Sequence, residues 1–147
     1  MRKYRLIYLK KKIKEMQISE HFSMDEFCIS DTAKRLGIAN LPDQEASESL
    51  VYLVRNLLEP LRRAYGKPLH INSGYRCPAL NRAVGGVSSS QHLKGEAADI
   101  SCDDPVALLQ QLRQTELVFD QAILYPTFLH VSLRRQNNRQ RIIIKKK

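Results

Sequence analysis

The sequence has too few cysteines for a disulfide framework and none in the arrangement that makes a cysteine zinc cluster. Cys28, Cys77 and Cys102 are odd in number and form no C-x-x-C pair, so they read as small buried thiols. Long apolar runs are missing as well. No stretch approaches the roughly 20 residues that a membrane helix needs, and with hydrophobic content at 43% the chain reads as soluble and globular. The opening Met1-Arg2-Lys3-Tyr4-Arg5-Leu6-Ile7-Tyr8-Leu9-Lys10 lacks the apolar core of about 7 to 15 residues that defines a signal peptide. The expectation is a protein without a signal peptide, cytoplasmic until some other route releases it. No internal repeat is present, and 147 residues suit one domain with a real core.

Acidic residues are scarce at both ends. Residues 1–15 hold seven Lys or Arg against Glu15 alone, and residues 134–147 hold seven with no acid at all. Between them, residues 16–133 carry ten basic and fourteen acidic side chains, so the net charge of +9 belongs to the ends. A mildly acidic domain with two basic tails is a different object from a protein with a basic face. Such tails are expected to be solvated, able to meet anionic wall polymer or lipid; nucleic acid is the weaker reading, and a monomer is expected. Met16 directly precedes the first core-like segment, and Lys10-Lys11-Lys12-Ile13-Lys14-Glu15 has the look of a translated leader. Residues 1–15 are therefore expected to be an extension that is not native, with the domain over 16–133.

What is present is a set of metal donors. Ser90-Gln91-His92-Leu93-Lys94-Gly95-Glu96-Ala97-Ala98-Asp99 is followed some thirty residues later by Phe128-Leu129-His130-Val131-Ser132. His92 and Asp99 are seven apart with Gly95 between them, so a turn brings an imidazole and a carboxylate from adjacent segments onto one ion. His130 supplies a third donor. Two His and one carboxylate match a zinc that catalyses, which keeps three protein ligands and leaves the fourth position to water.

The surrounding pattern predicts an α+β domain. Ser23-Met24-Asp25-Glu26-Phe27 has a capping-box spacing, and Asp31 to Leu36 reads as a short helix stopped by Gly37. The longest helix is expected from about Asp43 to Tyr65, with Leu50, Val51, Val54, Leu57, Leu58, Leu61 and Tyr65 on one face and a local bend at Pro60. Strands are expected at Leu69 to Gly74 and Ala97 to Cys102, and helices at Pro78 to Val84 and Pro105 to Gln114. A hairpin then joins Phe119–Tyr125 to Phe128–Leu133. Period-two alternation sets Leu129, Val131 and Leu133 on one face and Phe128, His130 and Ser132 on the other. His21 and His70 have no matching partners and read as ordinary packing or hydrogen-bonding histidines.

These residues resemble the M15 peptidases, the family of zinc D-Ala-D-Ala carboxypeptidases. The resemblance is carried by Ser73-Gly74-Tyr75-Arg76, by Ser90-Gln91-His92 with Gly95, Ala97 and Asp99, and by His130-Val131-Ser132. Ser19-Glu20-His21-Phe22 and Phe119-Asp120-Gln121 extend it over roughly residues 17–133. It implies a small antiparallel sheet flanked by helices, a fold shared with lysostaphin-type peptidases and the signalling domain of hedgehog proteins. It implies a peptidoglycan stem or cross-link as substrate, in a wall-remodelling carboxypeptidase or a phage endolysin, and Zn2+ as cofactor.

Carried over by position, His92, Asp99 and His130 match the zinc ligands, and Arg76 matches the arginine that meets the substrate carbonyl or carboxylate. Ser90 matches a serine that bonds the substrate backbone or orients the ligand. The sequence departs from the family where a general base is wanted. Many members carry Glu or Asp at the position of Thr127, and close relatives often have Glu where Tyr125 stands. Asp120 and Glu96 are the nearest acids in sequence, so Asp120 stands as a weak candidate for the base. A peptidoglycan-binding module that keeps the metal without efficient hydrolysis is the alternative.

Overall fold

Three of the helices open on a side chain that accepts a backbone N–H, which is why they begin where they do. In the computed structural model of the protein, which describes residues 2–5 and 15–146, Ser30 accepts from Ala33 at the head of α1 (Asp31–Leu36). Asp43 does the same for Ala46 at α2 (Gln44–Leu53), as does Asp104 for Ala107 at α5 (Pro105–Gln114). A 3-10 turn, Met24–Phe27, precedes α1, with the Glu26 carboxylate accepting from the Ser23 N–H at 2.7 Å. The long helix continues from α2 through one wide π turn, Val54–Leu58, into α3 (Glu59–Tyr65). Pro60 has no N–H and its ring crowds the carbonyl four residues back. The helix takes it up by widening, with Glu59 N–H donating to the Val54 carbonyl. Gly66, at φ +78, ends the helix.

Five strands form one sheet in the order β1 (His70–Ser73), β2 (Ala97–Ser101), β4 (Leu129–Ser132), β3 (Gln121–Leu124), β5 (Arg141–Ile144). The short helix α4 (Pro78–Ala83) and a 3-10 turn (Gln91–Lys94) lie between β1 and β2. Residues opposite one another across a ladder share a face, so register sorts the sheet into rows. Ile71, Ile100, Leu129 and Leu124 make one row of the core face. They are buried with Leu50, Leu53, Leu57, Leu58 and Leu61 of the long helix and Leu108, Leu109 and Leu112 of α5. On the opposite face the row is Ser73, Asp99, His130, Ile123. A register shift between Ile71 and Ser73 brings Ser73 opposite Asp99, the kind of re-aiming that a bulge performs.

Gly95 sets the angle between the turn and β2. It sits at φ +71, and a Cβ there would lie 2.4 Å from the Ala46 carbonyl oxygen. No side chain fits, so the turn carrying His92 is pressed against α2.

The carboxy-terminal segment corrects the sequence reading. Residues 134–147 were expected to be a solvated tail and the domain to end at 133, but β5 pairs in parallel with β3, so the sheet is not wholly antiparallel. Asp120, fully buried, explains the docking: its carboxylate accepts from Arg139 Nε at 3.0 Å and Nη2 at 2.8 Å, and Arg134 Nε lies 3.2 Å away. Asn138 closes the turn by donating to the Arg134 carbonyl and accepting from its N–H. Ile142 then packs against the core. The expected extension over 1–15 falls largely outside the described residues; 2–5 form a helical turn. Among the described residues no helix is long and apolar enough to cross a membrane.

The Arg139 hydrogen bonds hold the Asp120 carboxyl below the usual carboxylate range, outweighing burial. A depressed folded pKa contributes stability that is present above the unfolded value of about 3.9 and lost as pH falls through the folded one. Asp120→Asn is expected to cost about 2 kcal/mol or more at pH 7, because a buried acceptor of charge-assisted bonds is lost. Denaturant titrations at pH 7 and pH 3 check this: the gap between variant and wild type should narrow at the acid end.

Candidate metal centre

His92 is presented by the 3-10 turn, which Ser90 caps by accepting from the His92 N–H at 3.3 Å. The ring is almost wholly buried, and its Nδ1 lies 2.6 Å from the Gly74 carbonyl oxygen. A carbonyl only accepts, so Nδ1 carries a proton and Nε2 is the nitrogen turned to the donor group. That Nε2 faces Asp99 Oδ1 at 3.3 Å. Fixing a ligand imidazole through its other nitrogen is the usual support for metal-binding histidine.

Asp99 sits mid-way along β2 with β1 on one side and β4 on the other. His130, directly opposite on β4, brings Nδ1 to 2.8 Å from Asp99 Oδ1. The two imidazoles meet edge to face with centroids 5.2 Å apart. One donor atom from each of His92, Asp99 and His130 lies within 4.8 Å of the others. A tetrahedral zinc with ligands at about 2.0–2.2 Å sets its donors roughly 3.3 Å apart, so this trio fits the ion in both chemistry and spacing.

Burial raises the Asp99 pKa, yet hydrogen bonds from His130 and His92 and their charges outweigh it and hold the carboxyl well below its ordinary value. Asp99 is therefore an anion at neutral pH, ready to bind a cation without losing a proton. Arg76 completes the surroundings: its Nη2 is 3.5 Å from Asp99 Oδ2 and its side chain is only 16% exposed. Ser73 Oγ accepts from Arg76 Nε at 3.1 Å and Asn81 Oδ1 from Nη1 at 3.2 Å. Asn81 in turn donates to the Val87 carbonyl, which ties the guanidinium to the loop before His92.

The structure thus gathers Arg76, His92, Asp99 and His130, and uses the Ser90 hydroxyl on the His92 backbone. It does not bring Asp120 or Glu96 to them. Glu96 has the parity of Ala98 and Ile100, which belong to the core, and its carbonyl continues the ladder by accepting from the Leu133 N–H. It faces a cavity with Asp43, Ser49 and Lys94 instead, where burial raises its pKa above the usual carboxylate range. Asp120 has the parity of Ala122, again the core side, and its two oxygens are engaged by Arg139 and Arg134. Tyr125 stacks on Phe128 at 4.5 Å. His21 lies outside the group and hydrogen-bonds the buried Glu59 through Nδ1 at 2.8 Å.

Asn81 and Gly86 escaped the sequence reading. Asn81 stands in an ordinary helical turn, Ala79-Leu80-Asn81-Arg82, and nothing in that stretch marks it as the partner of Arg76. The Gly85-Gly86 pair reads only as a loop, although it was the available signal.

Comparison with known proteins agrees with this geometry. The family model for peptidase M15 matches residues 20–132, most of the chain. The chain belongs to the M15 peptidase family. The zinc D-Ala-D-Ala carboxypeptidase of Streptomyces albus G is 46% identical to this chain over 44 residues. That stretch is 29% of the chain and 17% of the Streptomyces protein, so only a small part of the relative's length is matched. β5 and its clamp residue Arg139 lie beyond the region that the family model covers.

A methyl at position 86 would sit 2.1 Å from Asn81 Oδ1 and 3.0 Å from Arg76 Nη1. Gly86→Ala is therefore expected to displace the Asn81–Arg76 pair while leaving the His92, Asp99 and His130 donors in place. Zinc titration followed by calorimetry checks it: near-native zinc affinity, with hydrolysis or substrate affinity down by about 10-fold or more, as one charged hydrogen bond warrants.

Proposed function

We propose that the protein is a zinc peptidase that hydrolyses peptide bonds in the stems or cross-links of bacterial peptidoglycan. What carries this reading is an ionised Asp99 shared by two imidazoles and a guanidinium on one face of the sheet, in a chain of the M15 family. His92 through Nε2, His130 through Nδ1 and Asp99 through its carboxylate would hold the ion. Bound zinc supplies a Lewis acid that polarises a carbonyl and lowers the pKa of water to about 7.

The chain's own residues orient the substrate. Ser73 and Asn81 fix the plane of the Arg76 guanidinium, a planar fork suited to paired oxygens. Its remaining donors are placed to hold a carbonyl oxygen as negative charge develops there, or a substrate carboxylate. The Gly74 carbonyl accepts from His92 Nδ1, which orients the ring with Nε2 toward the donor group. Tyr125 stacks on Phe128, two residues before His130 in the chain.

A second reading has one observation in its favour. Asp99 is the only carboxylate in the metal group, and both other acids suggested by the sequence are turned to the core side. A general base contributes about 10² to 10⁴ in rate, so a slow enzyme, or a module that binds wall peptides without cutting them, is consistent with the site. The name of the Streptomyces relative favours a terminal D-Ala-D-Ala bond; an endolysin-type role would open cross-links instead.

Mass spectrometry of purified peptidoglycan incubated with zinc-loaded protein, beside a His92→Ala control, distinguishes these. Loss of terminal alanine that needs His92 marks a carboxypeptidase, and opened cross-links mark an endopeptidase. No product from protein holding stoichiometric zinc overturns the peptidase reading in favour of the binding module.

A further inference from the structure

The row of residues that carries the metal donors does not stop at His130. It runs on through Ile123 of β3 to Ile143 of β5, and strands about 4.8 Å apart put Ile143 roughly 10 Å from His130 across the sheet. Alternation along β5 then sets Arg141 and Lys145 on that same face, on either side of Ile143. Arg141 pairs with Gln121, and the Lys145 backbone N–H donates to the Leu124 carbonyl just past the end of the strand. Both cations are exposed, and Ile143 is half-buried.

From Gln121 to Lys147 there is no Asp or Glu, and Asp120, just before β3, is buried with its oxygens on Arg139 and Arg134. The two clamp arginines are thereby used up, whereas Arg141 and Lys145 have no carboxylate partner among the described residues. A positive field of one sign, about two strands from the metal donors, fits an anionic extended ligand.

We propose that β5 is the outer wall of the substrate-binding face, with Arg141 and Lys145 holding the carboxylates of an acidic peptide stem whose reacting carbonyl lies at the His92–Asp99–His130 group. This rests on the peptidase reading above and adds to it a specificity element. The basic carboxy-terminal segment is then a strand that selects substrate. Its charge complements a peptide that carries acidic residues a few positions from the scissile bond.

The test compares two synthetic stem peptides of one sequence, one with free side-chain carboxylates and one with them amidated. Wild type should show a higher kcat/KM on the acidic peptide, a preference that fades as salt rises. R141Q/K145Q should lose about three- to tenfold on the acidic peptide, the size expected of exposed ion pairs, and nothing on the amidated one. The charge-conserving R141K/K145R should keep the preference, as should K146Q, whose side chain has the other parity. A wild type indifferent to the carboxylates, or an R141Q/K145Q protein that keeps the preference, overturns the proposal. If wild type cleaves neither peptide, the peptidase reading fails separately. Fluorescence anisotropy of the labelled peptides then decides: weaker binding of the acidic peptide alone by R141Q/K145Q supports the subsite, and equal binding of both peptides by both proteins overturns it.

Discussion

The carboxylate of Asp99 is a negative charge set where little water reaches, and the site is arranged around compensating it. Left alone, such a group would take up a proton rather than stay ionised. Here His130 and His92 approach one oxygen and Arg76 the other. Each partner comes from a different element: β4, the turn after Ser90, and the segment after β1. The anion therefore cross-links the sheet to the loop that covers one half of it. Removing that charge would leave two imidazoles and a guanidinium crowded together with nothing between them.

That arrangement depends on small features at a distance from the charge. The bulge in β1 places Ser73 under Arg76, Gly95 lets the His92 turn close on α2, and Gly86 leaves room for the Asn81–Arg76 pair. Each acts on orientation rather than on charge, and a metal site held in this way keeps its donors within the narrow geometry that a small ion demands. The clamp at Asp120 belongs to the same logic on the other side of the sheet. It fixes β5 beside β3 and so determines which residues border the open part of the metal-bearing face.

Much of this was legible from residue types and short spacings. α1 and α5 run over the residues expected, Asp31–Leu36 before Gly37 and Pro105–Gln114 from an early proline, because helix ends are set by local interactions. The donors His92, Asp99 and His130 could be named because two imidazoles and a carboxylate in that pattern have few other uses. β5 was hidden because Ile142, Ile143 and Ile144 stand among lysines and arginines, and composition outweighed the β-branched run. Its partner Asp120 lies some twenty residues earlier, so the clamp is a long-range fact. Glu96 and Asp120 looked like bases for the same reason: sequence proximity says nothing about which face of a strand a side chain takes. Pro60 was expected to disturb its helix locally, and the disturbance takes the form of a π turn at Val54–Leu58.

The central claim is that His92, Asp99 and His130 make one metal centre built entirely of nitrogen and oxygen donors. Zinc-edge X-ray absorption on the stoichiometric zinc protein tests it most directly. The account predicts two imidazole nitrogens and light-atom oxygen at about 2.0–2.2 Å, with that shell disrupted in His130→Ala. A sulfur shell near 2.3 Å, or an unchanged spectrum after His130 is replaced, would contradict it.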